Sequence, residues 1–175
     1  MMKKILAGTA LALVAMSGSA MAANSLYAGA MGLNVPITER NFNVNSTPAI
    51  DPLVSGKYMI GKDMAVLMGF GFMTGGPSNN STTTFALEGG VRKYLKSDDF
   101  APFVSGLLQY SNSNTSPNST TGTSLVGEFG AEYFFAKQFS VEGKARFGYT
   151  AVETGGTKYS YFGTTTVGLG ANFYF

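Results

Sequence analysis

The last stretch of the chain, Gly163 to Phe175 (GTTTVGLGANFYF), limits the possible folds more than any other. Thr165, Val167, Leu169, Ala171, Phe173 and Phe175 fall on one face of a period-two pattern. Thr164, Thr166, Gly168, Gly170, Asn172 and Tyr174 fall on the other. That period belongs to a strand. One face is mostly apolar, the other polar or very small, and the apolar face ends in two aromatics. A strand in water gains nothing by exposing such an end. A strand whose outer face meets hydrocarbon does, because its aromatics sit at the membrane interface.

The other end of the chain carries a different signal. Met1-Met2-Lys3-Lys4 precedes an apolar run from Ile5 to Met16, and small residues then lead to Ala20-Met21-Ala22. This is the charged, apolar and A-x-A order of a secretory signal peptide. The run is too short for a spanning helix, which needs roughly 20 residues. Residues 1–22 are expected to be cleaved, with Ala20 and Ala22 marking the site, and residues 23–175 to form one domain. No cysteine follows, so no lipid anchor, disulfide or thiolate chemistry is expected. Loss of Lys3 and Lys4 from a chain with 12 basic and 10 acidic residues leaves no net charge. A chain without excess positive charge is a poor partner for nucleic acid. No later apolar run is long enough to be a spanning helix, whereas alternating strands leave mean hydropathy only mildly positive.

Alternation divides the rest into strands and polar connections. Strands are expected over 25–35, 50–60, 64–72, 83–95, 101–110, 123–135, 139–150 and 163–175. Long loops fall at 36–49, 74–82, 111–122 and 152–160, and tight turns at 61–63, 96–99 and 136–138. Long and short connections therefore alternate. The strands approach the roughly 9–11 residues that cross a bilayer at a tilt. The pattern predicts an all-β fold, an eight-stranded antiparallel up-and-down transmembrane β-barrel. An even strand number puts both termini on the side of the short turns.

The faces distinguish this from a water-soluble barrel, which would keep large residues inside and charges outside. Lys57, Glu88, Arg92, Glu128, Glu132, Glu142, Lys144 and Arg146 all lie opposite the aromatic face. Four are acidic and four basic, and buried charges must be paired. A turn centred on Lys137 sets Glu128 opposite Arg146 and Glu132 opposite Glu142. Lys144, with Arg92 or Lys57 from across the lumen, would then offset the like-charged pair. Lys93 is the one charge on the outer face, near a strand end where its stem can snorkel. Tyr27, Tyr58, Tyr133, Phe135, Phe139, Phe173 and Phe175 would form one aromatic girdle. Phe70, Phe72, Phe85, Tyr110 and Tyr149 would form the other.

With these features in hand, the chain resembles the small outer-membrane β-barrel proteins of Gram-negative bacteria, of OmpX/Ail type and like the membrane domain of OmpA. The terminus, with alternate hydrophobics ending in Phe173 and Phe175, resembles the C-terminal signal read by that family's barrel-assembly machinery. The resemblance implies the outer membrane as location. It implies outer-membrane lipid and lipopolysaccharide as surroundings, and the assembly machinery and periplasmic chaperones as partners during biogenesis. No periplasmic domain follows Phe175, so the peptidoglycan tether of full-length OmpA is not expected.

Catalysis is not expected. The enzymes known on such barrels use a histidine, and this chain has none. Serines without a base are not activated. Glu128 and Glu132 lie about 13 Å apart along one strand, too far for paired glycosidase carboxylates. Gly69-x-Gly71 and Gly168-x-Gly170 precede no helix and so are not phosphate loops; they make room for lumen side chains. The loops carry too few acids for a calcium cage. No cofactor or metal is expected. The sequence therefore points to a structural or surface-interaction role through four extracellular loops, with a host or envelope ligand and a lumen closed by salt bridges. The alternative is a narrow gated channel for ions or small solutes.

Overall fold

The computed structural model describes residues 24–41, 54–76, 81–115 and 118–175. The expected signal segment, with Ala20 and Ala22, lies outside these residues. Eight strands, β1 (Met31–Asn41), β2 (Val54–Met59), β3 (Met64–Gly75), β4 (Thr82–Tyr94), β5 (Phe100–Thr115), β6 (Asn118–Ala136), β7 (Phe139–Thr154) and β8 (Thr157–Tyr174), form a closed barrel in sequence order. All neighbours are antiparallel, and β8 returns to pair with β1. No helix occurs among the described residues.

Alternation builds the wall. In β3, Ala65, Leu67, Gly69 and Gly71 are buried, while Met68, Phe70 and Phe72 project outward. The outer band is apolar and open: Met68 is 62% exposed, Leu108 63% and Leu125 62%. A monomer in water does not carry so large a continuous apolar surface. The wall is built for hydrocarbon, and closure leaves no strand edge to satisfy within it.

Several boundaries differ from those read in the sequence. The first strand was expected over 25–35 and runs Met31–Asn41. Ser25 to Ala30, and with them Tyr27, form a turn that crosses the mouth at the short-turn end. β2 is described from Val54 to Met59, and residues 50–53 of the expected strand lie outside the described residues. The expected loops at 111–122 and 152–160 are mostly strand. β5 reaches Thr115, β6 begins at Asn118, and β7 and β8 meet at a tight Gly155-Gly156 turn with φ of 55° and 82°. Ser, Thr and Asn runs score as loop by composition, but neighbouring strands already paired below extend the ladder through them.

The closing strand also differs in its upper part. Arg146 pairs with Thr166, but Phe147 pairs with Thr164, so Thr165 is an extra residue. This bulge reverses the parity above it. Thr164 shares the outward face of Phe147, where the sequence placed it inward, and Phe162 is 78% exposed. A second irregularity lies between Pro36 and Thr38 in β1. Proline cannot donate to a ladder and is tolerated at such a bulge.

The interior is layered. At the short-turn end, Leu26, Met59, Tyr94, Phe103, Phe134 and Tyr174 belong to one apolar cluster. The crossing turn is tied down at several points. Gly29 N–H donates to the Met59 carbonyl at 2.8 Å, and Met59 N–H donates to Ala30 at 2.9 Å. The Asn24 side chain donates to the Ser97 carbonyl at 2.7 Å. Ser25 Oγ donates to the carbonyl of Lys137. The segment thus links β2 to two separate turns while Leu26 fills the space beneath them.

Candidate functional site

Above the apolar layer lies a cluster of charge. Lys57, Glu88, Arg92, Glu128, Glu132, Glu142, Lys144 and Arg146 are all buried, each with 7% or less of its surface exposed. Strand parity puts them there, and closure brings β2, β4, β6 and β7 face to face across the lumen. The register sets Glu128 opposite Arg146 and Glu132 opposite Glu142.

Glu132 is the most heavily bonded carboxylate. Lys57 Nζ lies 2.8 Å from its Oε2, and the Tyr94 hydroxyl donates to the same oxygen at 2.7 Å. Its Oε1 accepts from the Tyr174 hydroxyl at 2.6 Å and from Ser140. Glu142 is shared among three cations, with Arg92 at 2.8 Å, Lys57 at 3.5 Å and Lys144 at 3.6 Å. Asn172 also donates to it at 3.3 Å. Those cations offset the like-charged pairing of Glu132 and Glu142, which alone would be repulsive.

Glu128 bridges two arginines, Arg92 and Arg146, each at 2.7 Å. Ser105 completes its shell at 2.9 Å. Arg146 reaches on to Glu88 at 3.1 Å, and Gln109 donates to that carboxylate at 2.7 Å. All eight charges therefore belong to one connected lattice. Among the described residues no buried side-chain nitrogen or oxygen lacks a partner. Full satisfaction is what makes so much buried charge tolerable, since an ion stripped of water costs several kcal/mol unless its partners replace that water.

Aromatic side chains and glycines shape the lattice. The Arg92 guanidinium lies 3.6 Å from the centre of the Phe103 ring. A Cβ at Gly130 would fall 2.8 Å from that ring's Cζ, so Phe103 can lie there only because residue 130 has no side chain. Gly90 clears Leu107 in the same way, at 2.7 Å. Gly170 clears the Asn34 amide at 2.8 Å, and Asn34 donates to Asn172.

Charge patterning alone does not single out Phe103, Phe134, Asn34, Ser105, Gln109 and Ser140, which line the lumen beside the lattice. The signal for them was available. Each shares the parity of a charged lumen residue on its own or the paired strand.

Towards the hairpin end the chemistry changes. Thr84 and Ser113 pair at 2.9 Å, Ser124 and Thr150 at 2.9 Å, Thr120 and Thr154 at 3.0 Å, and Thr82 and Thr115 at 2.7 Å. Each joins directly opposed residues on adjacent strands. The outermost charges there, Glu153 and Lys158, are exposed and pair loosely at 3.8 Å.

The terminal aromatics sit differently. Phe173 is half-buried against Phe139, with ring centres 5.4 Å apart, and Phe135 and Tyr133 continue the aromatic row. Phe175 is 78% exposed, and its backbone exchanges hydrogen bonds with Met31 where β8 meets β1.

The sequence profile described as "Outer membrane protein beta-barrel domain" matches residues 8–175. No curated protein matches the chain. Among solved structures, the crystal structure of Ail, the attachment invasion locus protein of Yersinia pestis, aligns at 12% identity with a TM-score of 0.39. The alignment covers 83% of this chain and 95% of that one.

Proposed function

The chain belongs to the outer-membrane protein β-barrel domain family, and from that premise we propose that it is a non-catalytic barrel that works at the cell surface through its extracellular hairpins. It resides in the outer membrane of Gram-negative bacteria. In this architecture the short turns face the periplasm and the long hairpins face outward. The observation that carries the proposal is the rise of β4 to β8 beyond the membrane band. β5 to β8 run 16 to 19 residues, well beyond the roughly 9–11 that cross a bilayer at a tilt. Tyr159, Tyr161 and Phe162 lie on the raised part of β8. Aromatic side chains on a polar hairpin suit contact with a host or envelope protein. The lumen lattice serves as a plug in this reading, holding the wall rigid beneath the hairpins.

Replacing residues 152–160 with a two-residue turn tests the proposal in cells. Binding to host-matrix and envelope proteins is expected to fall while the barrel still folds. Unchanged binding and unchanged survival in serum would overturn it.

The channel reading has one observation in its favour. Glu142 has three cations within 4 Å, so its partners could exchange without leaving it bare. Planar-bilayer recording of the refolded barrel separates the two. Silence supports the plug, and discrete openings altered by Glu142→Gln support the channel.

A further inference from the structure

A groove of about 770 Å³ crosses the outer face of β2 to β6. Two neighbouring cross-strand rows line it. Val54, Phe70, Leu87, Tyr110 and Thr123 make one, each opposed to the next. Gly56, Met68, Gly89 and Leu108 make the other, alternating small and large. The depression exists because two outward positions carry no side chain.

These glycines differ from those facing the lumen. At Gly90 and Gly130 an added Cβ would collide first with the backbone carbonyl of Gly106 or Gly143, at 2.2 Å, and then with the side chains already named. At Gly89 it would meet nothing within 4 Å, and at Gly56 only the Met68 carbonyl at 3.8 Å. Glycine weakens a strand, and the barrel itself does not need it at either place. What glycine provides there is access from outside to the backbone.

The groove's height decides what fills it. One row beyond Tyr110 the outer face turns polar on β5 and β6, where Asn112 donates to Thr121 at 3.1 Å and Asn114 donates to Asn112 at 2.8 Å. The aromatics Phe85 and Phe72 hold the same row on β4 and β3. Aromatics beside amides and hydroxyls mark the extracellular interface, so the groove lies in the outer leaflet. Glu88 and Gln109 border the groove from the wall, but the Glu88 carboxylate is turned to Arg146 and Gln109 in the lumen, so no charged side chain faces the groove from outside. In hydrocarbon an empty groove forfeits dispersion contacts along its whole lining, and the lipid at that height in a Gram-negative outer membrane is a glycolipid. We infer that the groove is a binding site for one saturated acyl chain of the outer-leaflet glycolipid. The chain would lie on Gly56 and Gly89, and the headgroup would rest against Asn112 and Thr121. The inference rests on the membrane location and is independent of the surface-binding proposal.

The test uses the folded barrel in nanodiscs containing a lipid A-type glycolipid or phospholipid, followed by native mass spectrometry of retained lipid. Wild type is expected to hold one glycolipid. Gly56→Leu/Gly89→Leu fills the groove and is expected to retain about tenfold less. Gly106→Leu lies outside the groove, has equally open space at its Cβ, and is expected to retain the wild-type amount. Equal retention by the filled variant overturns the site. Equal retention of phospholipid overturns the glycolipid assignment. A dimer lost on filling assigns the groove to a second copy and overturns it as well. A diazirine-bearing acyl chain tests the wild type directly, so the outcome does not depend on the variant folding. Cross-links are expected on Met68, Leu87 and Leu108, and an even spread around the barrel would overturn the proposal.

Discussion

The periplasmic and extracellular halves of the barrel interior fill the same cross-section with different chemistry. In the periplasmic half, four carboxylates and four cations share one lattice, held between aromatic rings and an N-terminal turn that carries Leu26 into the mouth. In the extracellular half, neutral hydroxyls pair two at a time across neighbouring strands. Ions deprived of water must be matched collectively, because Glu142 depends on Arg92, Lys57 and Lys144 at once. A hydroxyl pair is a local unit, and losing one leaves the next intact. The lower half should therefore behave as a single cooperative body and the upper half as separable rungs.

The largest effect should come from removing a shared carboxylate. Glu128→Ala leaves Arg92 and Arg146 facing each other without the anion that bridges them. The expected loss is about 3–5 kcal/mol, the range for breaking a buried pair from one side. Urea unfolding of the barrel in lipid vesicles measures it. Glu128→Gln keeps the shape and an acceptor, so it should lose less. A wild-type midpoint for Glu128→Ala would mean that the lattice is not a cooperative unit.

Leu26→Ala comes next. It empties the mouth without disturbing a charge, so its cost should be that of a core truncation, about 2–5 kcal/mol. The same unfolding experiment reads it. If Leu26→Ala changes nothing, the crossing turn is an appendage and the lattice stands without it.

These two regions were not equally legible. The lattice follows from alternation and charge, and the register that sets Glu128 against Arg146 is the one expected. The structure reaches it through a two-residue turn, Lys137 and Gln138, and an irregularity between Phe134 and Ala136 that the sequence does not signal. The crossing turn was misread as strand because Tyr27, Met31, Leu33 and Val35 keep an odd-numbered apolar pattern through a break in the ladder. What ends the strand there is tertiary, the capture of Asn24 and Ser25 by carbonyls of distant turns. The upper hairpins were misread for the opposite reason. Thr120, Thr121, Gly122 and Thr123 lack an apolar face, and only the strands beside them hold them extended. The bulge at Thr165 had no residue signal, since threonine suits either face, and it appears only when β8 is set against β7.

A smaller effect belongs to the upper half. Thr84→Val should cost about 1–3 kcal/mol, because it leaves the buried Ser113 hydroxyl without its partner. Adding Ser113→Ala removes that orphan, so the double variant should lose less than the two single changes together. A double-mutant cycle reads this coupling. Crossing Thr84→Val with Glu128→Ala should give simple additivity. Strong coupling between the halves would contradict the division into lattice and rungs.

The smallest effect is expected at the periplasmic rim, where the same kinds of ion occur in water. Lys96 lies 2.6 Å from Asp98, closer than Lys57 lies to Glu132, but both rim side chains are more than 60% exposed. The hydrogen bond to Asp98 raises the Lys96 pKa, and the one from Lys93 lowers that of Asp63. Neither group has given up its water, so little is lost when a partner goes. Lys96→Ala is expected to leave the unfolding midpoint unchanged, and adding salt should shift wild type and variant alike. A shift comparable to that of Glu128→Ala would mean that ion-pair distance governs stability here. The lattice would then owe nothing special to its burial.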